Sequence, residues 1–146
     1  MRDYTGLFRG KRTDNGEWVK GFYHYADWVM PQTHEFVKRT HSILPLKSQD
    51  AFDVDPATVG ECAGLKDRNG TLIFEGDIIR SCNGEVYEVK WIEKYARFAV
   101  WKPGIVFGGT SWNMAEIIGN IHDNPELLKG GGRPMTAPTT EGGGAE

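Results

Sequence analysis

Cations and aromatic rings interleave through "VKWIEKYARFAVWKP" (89–103), where Lys90, Lys94, Arg97 and Lys102 alternate with Trp91, Tyr95, Phe98 and Trp101. On strands, this mixture suits single-stranded nucleic acid, because rings stack on bases while cations neutralise phosphates. Aromatics and arginine are also enriched where proteins meet proteins. The plainer alternative puts Trp91 and Phe98 in a core and leaves the charges as a solvated strand face. Lys90, Lys94, Tyr95, Arg97 and Lys102 are therefore the candidate contact residues, for a protein partner or a nucleic acid. The formal charge of −3 and pI of about 5.8 argue against the simplest nucleic-acid case, a strongly basic domain.

Other chemistries find little support. His24, His34, His41 and His122 are scattered without the spacing that sets ligands on one helical face, and a zinc site from His34, His41 and Cys62 follows no recognised pattern. "DVDP" (53–56) offers carboxylates to a cation, yet Asp before Pro is also a turn initiator. Ser111 lacks a GxSxG frame. His122 and Asp123, as neighbours on an extended segment, would point to opposite sides. The glycines match neither GxxxxGK[ST] nor GxGxxG, and "GIVFGG" (104–109) has no helix start to bind an anion. No catalytic residue, cofactor or metal is expected, and the chain reads as a non-enzyme.

The elements that would carry these residues are short strands. Asn-Gly occurs at 15–16, 69–70 and 83–84, each between strand-like runs, and a type I′ turn needs φ > 0 at both central residues. A two-residue loop at Asn83-Gly84 sets Ser81 opposite Val86, Arg80 opposite Tyr87, Ile78 opposite Val89 and Asp77 opposite Lys90. It gathers Ile78, Tyr87, Val89 and Trp91 on one face, with Arg80 at its rim, and makes Asp77–Lys90 an opposed ion pair. The same turn at Asn69-Gly70 sets Arg68 opposite Thr71, Lys66 opposite Ile73 and Leu65 opposite Phe74. Glu75-Gly76-Asp77 links the two hairpins. Further strands are expected at "ARFAVW" (96–101) and "IIGNI" (117–121), and a hairpin at 11–25 with Trp18 and Phe22 on one face. Residues 27–58 form an irregular middle segment, with a short helix at Thr33 in "THEFVKRTHSIL" between Pro31 and Pro45. "DNPELLKG" (123–130) gives a short C-terminal helix with Asn124 as N-cap and Pro125 first.

The chain of 146 residues, 39% hydrophobic and 25% charged, suits one globular domain with a modest core. Residues 129–146, rich in Gly, Pro and Thr, cannot bury enough to offset ordering and are expected to be a flexible tail. No apolar run approaches a membrane span, "MRDYTGLFRG" has no signal-like apolar stretch, and two cysteines without a CxxC pair suit a reducing cytoplasm.

"VDPATVGECAGLKDRNGTLIFEGDIIR" (54–80) resembles the core signature of the YopX family of bacteriophage and prophage proteins. "FRGKRTDNGEWVKG" (8–21) is similar to its N-terminal hairpin and "IIGNIHDNPELL" (117–128) to its C-terminal strand and helix. Glu61-Cys62-Ala63 departs from the family's Gln, aromatic and Thr, and the glycine-rich tail has no counterpart. The resemblance implies a mainly β domain over 1–128, with a small SH3-like barrel over about 54–122, and residence in a bacterial host's cytoplasm. It implies no activity, because the family is of unknown function. The matching residues Gly64, Leu65, Asp67, Asn69, Gly70, Glu75, Gly76 and Asp77 each have a structural explanation. An accessory module that binds a protein or a second copy of itself is the expectation, with single-stranded nucleic-acid binding as its alternative.

Overall fold

The computed structural model describes residues 6–102, 105–106 and 111–129. The tail beyond Lys129 and the glycines of "GIVFGG" lie outside them. The fold is mainly β. One antiparallel sheet is built mainly from residues 8–66, and a five-stranded antiparallel sheet follows, with two-residue Ile105–Val106 at one edge. The chain divides into two compact units after Gly64, inside the strand Gly60–Lys66.

In the first unit, β1 (Phe8–Lys11) and β2 (Trp18–Val29) make the expected hairpin, with Trp18 opposite Lys11. Trp18 and Phe22 share a face by strand alternation. The loop holds four residues, since Arg12 N–H donates to Glu17 O and Gly16 N–H to Arg12 O. Then β2 continues beyond β1 and pairs with β3 (Phe36–Pro45), from Gly21–Pro45 to Val29–Phe36. No helix starts at Thr33. Pro31–His34 is instead a four-residue loop of the first hairpin's kind, closed by Met30 N–H to Glu35 O and His34 N–H to Met30 O. His34 takes the left-handed φ of 61° where the first loop has Gly16 at 74°. Short β4 (Phe52–Asp53) pairs with the base of β3, and β5 (Gly60–Lys66) pairs with β1. "DVDP" is a turn: Asp55 caps Pro56–Thr58 through Ala57 N–H, and Thr58 Oγ1 accepts Lys11 N–H at 2.9 Å.

In the second unit, β6 (Leu72–Phe74), β7 (Asp77–Arg80), β8 (Val86–Ile92), β9 (Arg97–Lys102), β10 (Ile105–Val106) and β11 (Glu116–Asn120) precede α1 (Glu126–Lys129). Ile73, Phe74, Ile78, Ile79, Val86, Val89 and Val100 are buried. Among the described residues the five-stranded sheet is open, bounded by β10 and β11, so the expected barrel does not close.

The hairpins form, but in a different register. Ile78 faces Glu88, Ile79 faces Tyr87 and Arg80 faces Val86, one residue away from the type I′ expectation. Gly70 and Gly84 have φ of 81° and 89°, whereas Asn69 and Asn83 are not in the left-handed region. The loops therefore hold three residues, closed by Asp67 N–H to Thr71 O and Ser81 N–H to Glu85 O. Side chains select this geometry: Asp67 Oδ1 accepts from Asn69 N–H and Thr71 N–H, and Asn83 Oδ1 from Glu85 N–H. The slip moves Ile78 away from the Tyr87–Val89 face. It also removes the Asp77–Lys90 pairing; buried Asp77 accepts Phe74 N–H at 2.7 Å instead. Asn124 does not cap α1 with its side chain, whose Oδ1 turns back to Asn120 N–H. No described helix is long and apolar enough to cross a membrane.

Two kinds of glycine give opposite tests. A Cβ on Gly21 would lie 2.0 Å from Leu44 O, so Gly21→Ala is expected to cost more than about 3 kcal/mol, at the upper end of overpacking. Gly84 has open space but a positive φ, so Gly84→Ala should cost about 1 kcal/mol, and Gly84→Asn less. Urea midpoints measure both; equal losses would contradict the assignment.

Candidate functional site

The interleaved residues of 89–103 do not assemble into one stripe. Alternation along paired β8 and β9 sets Tyr87, Val89, Trp91, Phe98, Val100 and Lys102 on one face, with Glu88, Lys90, Ala99 and Trp101 on the other. Lys90 Nζ lies 4.0 Å over the Trp101 ring. Lys102 Nζ is 2.5 Å from Glu85 and 5.5 Å over Tyr87. Trp91 and Phe98 meet edge to face at 5.1 Å, and Trp91 stays 42% exposed. Tyr95 alone stands out, 58% exposed in the turn between β8 and β9. Lys94 and Arg97 flank its ring at 5.6 Å and 5.7 Å.

Several of the signature residues lie at turns and hold backbone groups together. Asp67 is buried, and its Oδ2 accepts Ile117 N–H at 3.0 Å while Oδ1 holds its own turn, so one carboxylate fastens the β11 start to the turn before β6. Gly76, at φ 91°, bends the chain after Glu75; its N–H donates to Val89 O and its carbonyl accepts from Ile121 N–H. Gly64 turns β5 with φ 81°, and Leu65 follows it within that strand. No group of three or more His, Cys, Asp or Glu among the described residues is placed to hold a metal. His34 sits in a hairpin loop, and Cys62 is buried with its Sγ accepting Gly64 N–H.

The sequence reading passed over a different surface. Past His24, β2 and β3 form a ribbon that no third strand joins among the described residues: β1 ends opposite Gly21, and β4 reaches only Ser42 and Ile43, which lie opposite His24 and Tyr23. Trp28 is 57% and Phe36 60% exposed, and Phe22, Tyr25, Val29, Met30 and Val37 are exposed with them. Phe22, Ala26 and Trp28 lie on one face; Tyr23, Tyr25 and Asp27 lie on the other, opposite Ile43, His41 and Arg39. Two-stranded ribbons are marginal alone, and polar cross-strand ties brace this one. Tyr23 Oη lies 2.6 Å from His41 Nδ1 with the rings stacked at 5.9 Å. Arg39 grips Asp27 with two donors, at 2.5 Å and 2.8 Å, and lies 4.4 Å over Tyr25. The Arg39 guanidinium holds the Asp27 carboxyl below its usual range. The missed signal was the aromatic-rich run "GFYHYADWVM" followed, across Pro31–His34, by the strand-like "EFVKRT".

The Glu88 carboxyl is pushed up. Burial raises it against the pull of Lys90, and Glu75 adds to the rise. Above the ordinary value of 4.5, the native state then holds more protons than the unfolded chain, so stability falls as pH climbs through the raised folded value. Glu88→Gln should remove that part of the slope and be at least as stable near pH 7. Urea titrations between about pH 4 and 8 test it, and parallel profiles would refute it.

No curated protein is detectably similar to this chain. The family model described as "YopX protein" matches residues 7–129. That span takes in the first hairpin, the ribbon, the Asp67 and Gly76 turns and the strand leading to α1, and it places the chain in the YopX family.

Proposed function

We propose that the chain is a non-enzymatic, bacteriophage-encoded binding module of the host cytoplasm, acting through protein–protein contacts at the β2–β3 ribbon. The observation that carries this reading is apolar exposure on both faces of one ribbon. Antiparallel sheets commonly bury one face, and contiguous exposed apolar surface marks interaction sites. Trp28 and Phe36 are the anchors this surface offers, since large aromatics dominate interface energetics. Arg39 and Asp27, fixed on each other, supply a preorganised polar element beside them. A Trp28→Ser/Phe36→Ser double variant should keep the fold and lose at least about 2 kcal/mol of affinity for proteins retained from phage-bearing host lysate, roughly 30-fold. Equal retention by the folded variant and the native chain would contradict this.

A second reading rests on Tyr95. An exposed ring between Lys94 and Arg97 can stack on a base while the cations meet phosphates. A labelled single-stranded oligonucleotide should then be retained at about 50 mM salt and released steeply as salt rises. Tyr95→Ala should weaken it by about 1–3 kcal/mol. No retention at low salt would remove this reading.

A further inference from the structure

The occupant of the ribbon follows from the edge that the described residues leave open, granted the protein-binding reading above. Val19 and Gly21 pair with Gly10 and Phe8 of β1, while Met30 N–H donates toward β3, to Glu35 O. Backbone direction alternates along a strand, so Tyr23, Tyr25, Asp27 and Val29 direct their N–H and C=O groups to the open edge. We propose that β2 adds to β2 of a second copy, antiparallel, across a two-fold axis at Ala26.

Three observations select this arrangement. A two-fold perpendicular to the sheet keeps each side chain on its own face, so paired residue numbers must share parity. Centred on Ala26, Tyr23 meets the partner's Val29 and Tyr25 meets the partner's Asp27. Every outward residue is used, and none that β1 already covers. A centre at Tyr25 would bring in Gly21, whose edge Phe8 occupies. Ala26 itself falls at a pair that exchanges no hydrogen bonds, where strands approach most closely, and it carries the smallest side chain on the open edge.

Charge agrees with pairing of like to like. Residues 22–41 hold two acids, Asp27 and Glu35, and two bases, Lys38 and Arg39, for a net of zero with histidine neutral. Two ribbons therefore approach without net repulsion. The partner's Asp27 arrives beside the Tyr25 ring on which Arg39 lies, so opposite charges come together.

The test is sedimentation of the full chain at rising concentration, with Ala26→Lys and Ala26→Glu. Ala26 is exposed, so both variants should keep the native β circular dichroism. The native chain should move from 16.3 kDa to twice that mass. Each variant alone, with like charges opposed at the axis, should stay single. An equimolar mixture of the two should recover the doubled mass. A native chain that stays single at every concentration overturns self-pairing but leaves the protein-binding reading, which the Trp28/Phe36 variant tests separately. Variants that still double, or a mixture that stays single, also overturn the Ala26 axis.

Discussion

How closely β2 can lie against β3 at Gly21 governs the first unit. Gly21 is paired on both sides, to Phe8 and to Pro45, and Leu44 O occupies the space a Cβ would need. That approach ties the hairpin base to the sheet and makes it the last point where β1 runs beside β2. Past His24, where β4 no longer flanks β3, the described residues leave two strands with open edges. Exposed rings at Trp28, Phe36 and Tyr25 are then a consequence of topology, and they invite a covering partner.

The second unit is organised by hydrogen bonds to carboxylates and by glycine. Asp67 binds backbone N–H groups from its own turn and from Ile117. Gly76 exchanges bonds with Val89 and Ile121. Contacts distant in sequence are thus fixed at a few turn residues, with Ile73, Ile78, Ile79, Val89 and Val100 filling the core between them. Asp67 and Gly76, both in the family signature, thus set how the chain bends.

Much of this was legible in advance, within limits set by physics. Asn-Gly marks hairpins, and all three formed. Its loop length was not legible, because Asp67 and Asn83 hold their turns in a geometry where only the glycine is left-handed. A loop one residue longer reversed the face of Ile78. The β2–β3 ribbon was hidden for another reason: His34 adopts a left-handed φ that sequence signals reserve for Gly or Asn. The cationic and aromatic residues of 89–103 were expected on strands; Lys94 and Tyr95 fall in the turn between β8 and β9, and strand alternation divides the others between two faces. Lys102 is paired with Glu85, and Tyr95 with its flanking cations stands open.

The functional account thus moves from a charged strand to an apolar ribbon. One neutral, braced, two-sided element offers hydrogen-bonding groups along an edge and rings on both faces, and the route by which such an element binds is strand addition. Residue-resolved amide exchange tests this most directly. The account predicts that inward amides of His24, Ala26 and Trp28 are protected at all concentrations, while outward amides of Tyr23, Tyr25, Asp27 and Val29 exchange freely when dilute and slow on association. Outward amides indifferent to concentration and to added partner, with changes confined to Lys94–Arg97, would contradict it.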